Sequence, residues 1–345
     1  LFSGCGGLSL GLEQAGFYPL YVNELNSDAL ETYLINRDQE YPHLREKYHS
    51  KDIKDVVLKK DYFDSLLNDL QVDFKRDFRE NSVDLLTGGP PCQGYSALGI
   101  RRSYSVDKKQ LPSNHLYQDM AYFISQINPK IFLFENVRGI LNAKWTKDGT
   151  KGEIFKDVFK TFDSLSNYTV KFKLVKANNY GVPQNRPRVL IIGVRNDVNL
   201  NSMSSLDALE GGFLPEPTND FPDVEDVLSD LVDDNFEYGS ETASYIKDPL
   251  NRLQESYRTN IHSGVLMKKG DELSEMKYSS HSDKIVEKFS HMIKNNGQIP
   301  EHLKTKKFAQ RVLPKKWGEK GPTITVTSLP DDFVHYSQAR SLTVR

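Results

Sequence analysis

The sequence of 345 residues has few cysteines, no long apolar run and no excess of basic residues. Its two cysteines, Cys5 and Cys92, are too few for a disulfide framework, and without a nearby histidine cluster they exclude a structural zinc site. No run of about 18 or more apolar residues is present, and no secretory leader opens the chain, so we expect a cytoplasmic protein without a membrane span. The formal net charge of -2 means that any surface for nucleic acid must arise from local segregation of charge.

Charge is segregated in the second half of the chain. Between Asn201 and Asp248 there are thirteen Asp and Glu against one Lys, whereas Ile261 to Lys320 holds thirteen Lys and Arg against seven acids. A chain of this length favours two lobes. We therefore predict one domain over residues 1–198, a smaller loop-rich domain over 199–320, and a segment over 321–345 that returns to the first domain.

The first 198 residues alternate short apolar runs with amphipathic stretches, which predicts an α/β fold with a mostly parallel sheet and helices on both faces. The predicted strands cover residues 18–23, 83–87, 131–135 and 189–194. The predicted helices cover residues 8–15, 27–36, 61–70, 116–127 and 153–165. Three of the strands end in Asn23-Glu24, in Gly88-Gly89-Pro90-Pro91-Cys92 and in Glu135-Asn136. Because ligands bind at the carboxyl ends of strands in such sheets, we expect one shared crevice there.

Two loops carry candidate chemistry. The motif Phe2-Ser3-Gly4-Cys5-Gly6-Gly7 predicts a strand-to-helix turn whose missing side chains let a nucleoside cofactor approach the backbone, although a glycine-rich turn without a ligand would read the same way. Glu24 would bind the ribose hydroxyls, or it is merely an acid at a helix start. In the second loop two glycines and two prolines frame Cys92, which favours a nucleophile over a buried structural cysteine.

Pro91-Cys92-Gln93 together with Glu135-Asn136-Val137 resembles the paired signature of the cytosine-5 methyltransferases. Further blocks of that family follow in the same order, and the resemblance covers nearly the whole chain except residues 200–310. These blocks are the opening glycine-rich motif, Asn23-Glu24, Asp52-Ile53, Gln184-Asn185-Arg186-Pro187-Arg188 and Arg340-Ser341-Leu342-Thr343-Val344-Arg345.

The resemblance implies a Rossmann-like fold dependent on S-adenosylmethionine, with a smaller target-recognition domain. It implies methylation of carbon 5 of a cytosine, with Cys92, Glu135, Arg186 and Arg188 as catalytic residues. The cofactor residues that it implies are Phe2, Ser3, Gly4, Gly6, Gly7, Asn23, Glu24, Asp52, Ile53, Pro91 and Leu116. Cys5 is expected to be a small packed residue in the cofactor loop.

The chemistry explains these residue types. A thiolate added to C6 of cytosine turns the ring into an enamine whose C5 attacks the methyl group, and Cys92 would supply the thiolate. Glu135 would hydrogen-bond to N3 or protonate it. Arg186 and Arg188, two residues apart in an extended segment, would face the same side and hold the cytosine carbonyl oxygen, a phosphate and the catalytic loop.

The implied partner is duplex DNA with the target base flipped out of the helix. The loop from Ser96 to Asn114 would close over the DNA, and the lysines of the second lobe would contact phosphates. We expect a bacterial monomer without a metal, with any cognate restriction endonuclease encoded separately. The family's closing block, a helix that packs under the glycine-rich loop, is not found in these residues, so we expect a fragment of a longer protein.

Three other functions were weighed. A tRNA cytosine-5 methyltransferase shares the same motifs and stays open. An inactive DNA-binding relative is disfavoured because Cys92, Glu135, Arg186 and Arg188 occur together. An oxidoreductase is disfavoured because the first loop lacks the dinucleotide spacing and Cys92 would have no role.

Overall fold

The computed structural model describes residues 1–59, 61–79, 83–91, 112–199, 213–218, 222–260, 263–304, 310–316 and 333–345. The chain divides into two compact units. The first consists of Leu1–Val175 and Pro187–Glu216, and the second of Lys176–Arg186 and Pro217–Arg345.

The first unit alternates helices and strands. Its helices are α1 (Gly7–Gln14), α2 (Ser27–Ile35), α3 (Pro42–Glu46), α4 (Ile53–Val57), α5 (Tyr62–Phe74), α6 (Leu116–Ile127) and α7 (Glu153–Asp163). Its strands are β1 (Val22–Asn23), β2 (His49–Ser50), β3 (Leu85–Gly88), β4 (Ile131–Val137), β5 (Tyr168–Lys176, whose last residue falls in the second unit) and β6 (Pro187–Arg195). Short 3₁₀ helices cover Pro112–His115 and Arg138–Asn142.

The predicted helices and strands of this unit are all present, with small shifts at their ends. The bounds of α6 agree with the prediction, whereas β1 is confined to the last two residues of the predicted strand. The prediction omitted α3, α4, β2 and β5. The first three are too short for a periodic signal, but β5 does alternate apolar and polar residues.

The four-stranded sheet is mixed, with the order β3-β4-β6-β5. Strand β4 is parallel to β3 and antiparallel to β6, while β1 and β2 form a separate parallel pair. The carboxyl ends of β3 and β4 therefore point the same way, and the start of β6 lies beside the end of β4. This arrangement brings three segments with candidate catalytic residues to one edge of the sheet.

Alternating residues of β4 form the centre of the core. Phe132 and Phe134 are fully buried and contact Phe162 of α7, with ring centroids 5.4 and 5.2 Å apart. Phe132 lies opposite Gly193 in β6, and a β-carbon on Gly193 would come within 2.0 Å of its ring. Glycine is required at this position because the phenylalanine ring occupies the space of a side chain.

No residue of helix α1 is buried as a whole, although the side chain of Glu13 is only 7% exposed. A cavity of about 610 Å³ lies beside the helix, lined by Leu12 and Phe17 and by apolar residues of other elements such as Val22, Leu66 and Leu86. Among the described residues, the ion pair of Glu13 with Arg37 connects α1 to the end of α2.

The second unit contains shorter elements and small buried clusters. Its helices are α8 (Val224–Leu228), α9 (Arg252–Arg258) and α10 (Asp283–Lys294), its strands are β7 (Arg311–Val312) and β8 (Phe333–Val334), and 3₁₀ helices cover Ala177–Tyr180, Ser229–Leu231 and Glu301–Leu303. Strands β7 and β8 pair in parallel. No helix in the described parts of either unit is long and apolar enough to span a bilayer.

Two buried arginines organise the second unit. Arg258 forms an ion pair with Asp230 and lies 4.0 Å from the centroid of the Tyr245 ring. The guanidinium of Arg340 lies 5.1 Å from the Tyr278 ring centroid, donates to the Gln338 side chain, and has its pKa lowered to about 10 by burial. In this unit the two guanidinium groups pack against aromatic rings, where a larger domain would have apolar side chains.

His335 is buried directly after β8, and its N–H donates to the Arg340 carbonyl at 2.8 Å. Its Nδ1 accepts hydrogen bonds from the backbone N–H groups of Ser337 and Gln338, each at 3.2 Å. Burial, with a smaller contribution from the charge of Arg340, lowers the pKa of His335 to about 3. The folded protein therefore holds a neutral imidazole at every pH above that value.

This burial predicts a pH-dependent stability. The unfolded histidine binds a proton below about pH 6.5 and the folded one does not, so stability is retained above that pH and is lost by about 1.4 kcal/mol per pH unit below it. His335→Asn keeps an acceptor near Nδ1 but cannot titrate. Urea unfolding at pH 7.5 and pH 5.5 should show a smaller loss for the variant than for the wild type, and equal losses would contradict this assignment.

Candidate active site

The glycine-rich loop is held by β1 and by Glu24. The Ser3 N–H donates to the Asn23 carbonyl at 3.1 Å, and the Gly4 N–H donates to Glu24 Oε2 at 2.8 Å. Gly4 has a φ of 55° and Gly6 a φ of 91°, which favour glycine, and Gly7 begins α1. Apart from the neighbouring residues of the loop, no atom of the described residues lies within 4 Å of the positions that β-carbons on Gly4 or Gly7 would occupy, so another molecule can approach the backbone there.

Glu24 lies directly after β1, where the sequence predicts a ribose ligand. Its carboxylate accepts from the Gly4 N–H and, at 2.9 Å, from the Asn26 N–H. A carboxylate has about four acceptor positions, so two remain for a pair of hydroxyl groups. Asn23 is buried instead and donates to Ser50 Oγ at 2.8 Å and to the Lys51 carbonyl at 2.9 Å, which fixes β1 against β2.

The remaining predicted cofactor residues of the first unit lie on α4, α6 and the loops around them. Asp52 caps α4 by accepting from the Lys54 N–H at 2.9 Å, while Ile53 is buried in the core and Leu116 is half-buried at the start of α6. Lys54 Nζ lies 2.7 Å from Asp119 Oδ1, so an ion pair connects α4 to α6. Phe2 is half-buried with a φ of 54° in the glycine-rich loop.

The root of the cysteine loop is anchored to β4. Asn136 is only 3% exposed, and its side chain donates to the Pro90 carbonyl at 3.2 Å. A β-carbon on Gly89 would lie 3.2 Å from Glu135 Oε2, so the loop backbone passes close to that carboxylate. Pro91 is exposed, and the predicted nucleophile Cys92 lies outside the described residues, as does most of the predicted closing loop.

Glu135 and Arg188 form the charged centre at this edge of the sheet. Glu135 is opposite Leu190, and Arg188 is opposite Val137, which places the two side chains on one face as diagonal neighbours. Arg188 Nε lies 2.5 Å from Glu135 Oε1, and its Nη1 donates to the Pro187 carbonyl at 2.9 Å. The Glu135 side chain is 30% exposed, so the paired carboxylate remains accessible.

Arg186 belongs to the second unit. It is exposed, and its carbonyl accepts from the Ala177 N–H at 3.2 Å. The predicted joint action of Arg186 and Arg188 on the substrate stays a prediction.

One expectation about the cofactor loop is wrong. Cys5 is exposed and not packed, because it lies at the outer turn of the loop between two residues with positive φ, Gly4 and Gly6. Among the described residues, no group of three or more His, Cys, Asp or Glu could hold a metal ion.

Sequence reasoning missed the structural roles of Asn136 and Arg37. Asn136 was noted only as part of a motif, although an amide at the end of a buried strand is a signal for a buried hydrogen bond. Arg37 is only 3% exposed and donates to the carbonyl of Gly6 in the glycine-rich loop. No pattern in the sequence distinguishes it from a surface arginine.

Comparison with known proteins identifies the family to which the chain belongs. The family model for C-5 cytosine-specific DNA methylase matches residues 1–345. The Type II methyltransferase M.DdeI of Desulfomicrobium norvegicum is 29% identical over all of this chain and 75% of its own length, and M1.HphI of Haemophilus parahaemolyticus is 29% identical over all of this chain and 74% of its own. M.FnuDI of Fusobacterium nucleatum is 35% identical over 59% of this chain, which is 48% of that protein.

A solved structure shows the same fold. A DNA modification methyltransferase encoded within a prophage of E. coli superposes with a TM-score of 0.63 at 23% identity, covering 99% of this chain and 84% of that one. The α/β methyltransferase fold predicted from the sequence is thereby confirmed. With the family model covering every residue, the chain belongs to the C-5 cytosine-specific DNA methylases.

Proposed function

We propose that the protein methylates carbon 5 of a flipped-out cytosine in duplex DNA, taking the methyl group from S-adenosylmethionine through a covalent adduct between Cys92 and C6. The observation that carries the proposal is the convergence of Glu135, Arg188 and the Asn136-anchored cysteine loop at one edge of the sheet. The family match supports the choice of cytosine and DNA.

The residues around the glycine-rich loop fit S-adenosylmethionine. The open space in front of Gly4 and Gly7 admits a ligand to the backbone, and the Glu24 carboxylate has free acceptor positions for ribose hydroxyls. Asp52, Ile53 and Leu116 would hold the adenine end, with Ile53 contributing from its buried position. When bound, the cofactor supplies an electrophilic methyl group on a sulfonium.

The protein's own groups would carry the remaining chemistry. The Cys92 thiolate adds to C6 of the cytosine, and the electron pair displaced from the C5–C6 double bond makes C5 nucleophilic. Glu135 transfers a proton to N3 or shares it in a hydrogen bond, which offsets the charge that develops on the ring. After methylation, N3 returns its proton to Glu135, C5 loses its proton to water and the thiolate leaves, which restores the aromatic ring.

Arg188 gives Glu135 its orientation and its counter-charge. Because Glu135 lies in an ion pair, the proton that it passes to N3 must first be taken up from solvent, and the carboxylate that remains is stabilised by the guanidinium 2.5 Å away. The diagonal register of β4 and β6 sets this distance before any substrate binds. Such preorganised charge costs no reorganisation during the reaction.

The second unit would recognise the target. Its exposed Lys268 and Lys269 would contact phosphates, which carry no sequence information. Contacts to the bases would therefore come from loops of this unit. The names of the relatives support a Type II methyltransferase, and we propose that any cognate endonuclease is encoded separately. Parallel assays on duplex DNA and tRNA test the substrate, and labelling of tRNA alone would reject the proposal.

Replacing the nucleophile should abolish the reaction. Cys92→Ser is expected to lose both methyl transfer and trapping on DNA that contains 5-fluorocytosine, because serine does not form the thiolate that adds to C6. The wild-type adduct should map by mass spectrometry to the peptide with Cys92 and not to that with Cys5. A serine variant that still traps DNA would refute this role.

Replacing the acid should slow turnover without weakening cofactor binding. Glu135→Gln is expected to lower kcat by about 100-fold or more, because the amide cannot supply a proton to N3. Asp197→Asn is the matched control, since Asp197 pairs with Arg195 at the other end of β6, 2.6 Å away and 65% exposed. Turnover of Glu135→Gln equal to that of the control would contradict the assignment.

Releasing the cysteine loop should slow adduct formation. Asn136→Leu keeps the volume but leaves the buried Pro90 carbonyl without its donor, which should cost about 1–3 kcal/mol of stability and misplace Cys92. Rapid-quench trapping measures the rate of adduct formation, and titration measures cofactor affinity, which should not change. Asn196→Leu, which removes an exposed bond of the same type to the Ser166 carbonyl, is the control, and equal trapping rates would contradict the prediction.

A further inference from the structure

Arg37 is a buried arginine just past the end of α2. Only 3% of the residue is exposed, and its guanidinium carbon lies 3.9 Å from the centroid of the Tyr33 ring. Nε donates to Glu13 Oε1 at 2.8 Å, Nη1 to the Tyr33 carbonyl at 3.1 Å, and Nη2 to the Gly6 carbonyl at 3.2 Å. One side chain thus connects α1, α2 and the glycine-rich loop.

The contact with Gly6 leaves no room for adjustment. A β-carbon on Gly6 would lie 2.7 Å from Tyr33 Cδ2 and 2.8 Å from Arg37 Nη1, and the φ of 91° already requires glycine. The guanidinium therefore packs where a side chain of the loop would otherwise lie. Two side chains bond to the loop backbone, Glu24 at the Gly4 N–H and Arg37 at the Gly6 carbonyl.

Stability alone does not account for this arrangement. The side chains of Arg37 and Glu13 are 4% and 7% exposed, and the cost of desolvating two charges offsets most of the attraction between them. Apolar residues of similar volume would often stabilise such a position equally well. What an apolar pair cannot provide is directed hydrogen bonds that fix the loop and α1 in one geometry.

We propose that Arg37, held by Glu13, is a positioning residue that preorganises the glycine-rich loop for S-adenosylmethionine. The inference rests on the proposed function of that loop. Arg37 touches the loop from α2 and makes no contact with the open space before Gly4 and Gly7. The Arg37–Glu13 pair also connects the end of α2 to α1, the helix that follows the loop.

The decisive variant separates positioning from stability. In the double variant Glu13→Leu, Arg37→Met both buried charges are gone, so the free energy of unfolding should return to near the wild-type value. The Gly6 carbonyl keeps the Leu10 N–H at 2.9 Å but loses its hydrogen bond from the guanidinium. We expect the affinity for S-adenosylmethionine to fall about tenfold or more, as for loss of a charge-assisted hydrogen bond, while DNA affinity is unchanged. In turnover, KM for the cofactor should rise and kcat at saturation should be largely retained.

Two further variants calibrate this result. Arg37→Lys keeps the charge beside Glu13 but lacks the planar guanidinium that bonds to several acceptors at once. It should therefore retain wild-type stability better than it retains cofactor affinity. Arg45→Met is the control, because Arg45 is an exposed arginine paired with Glu31 and Asp38 and touches no part of the loop. It should bind the cofactor as the wild type does.

The measurements are calorimetric titration with S-adenosylmethionine, fluorescence anisotropy with duplex DNA, and urea unfolding, all on the full-length protein. Wild-type cofactor affinity in the stable double variant would overturn the proposal, as would a parallel loss of DNA affinity. A wild-type protein that fails to bind S-adenosylmethionine would instead overturn the proposed function of the loop, so the two failures are distinguishable.

Discussion

The antiparallel pairing of β4 with β6 is the constraint on which the proposed catalytic edge depends. Its register places Arg188 diagonal to Glu135, so the ion pair forms from backbone geometry without a flexible loop. The same register sets Gly193 under the Phe132 ring, which allows the two strands to pack against α7. A slip of one residue would turn Arg188 to the other face of the sheet and bury its charge.

The two candidate sites are built on different principles. Catalytic groups project from a regular sheet, and the cysteine loop is attached to it through the buried Asn136. The cofactor loop is joined to β1 by a backbone hydrogen bond from Ser3 and packs on the core through Leu1 and Phe2. Directed polar contacts from Glu24 and Arg37 then fix the Gly4 N–H and the Gly6 carbonyl.

Much of the fold and part of the site could be predicted from the sequence. Amphipathic periods located α6 and α7, and strand ends rich in polar residues located Glu24 and Glu135, because both signals are local. The pairing of Glu135 with Arg188 was not predicted. It depends on β6 running antiparallel to β4, and strand order and direction arise from contacts between distant segments that leave no local pattern.

Arg37 shows why some functional residues escape such reasoning. Arginine is most often exposed, and the pattern of α2 gives residue 37 no reason to differ. It is buried because Gly6 has no side chain to occupy the space, the Tyr33 ring packs against the guanidinium, and Glu13 supplies a counter-charge. These three residues lie in the glycine-rich loop, in α2 and in α1. Burying the Arg37 charge has a cost in desolvation that stability alone does not explain. The contacts of Arg37 instead fix the position of the loop that is proposed to bind the cofactor.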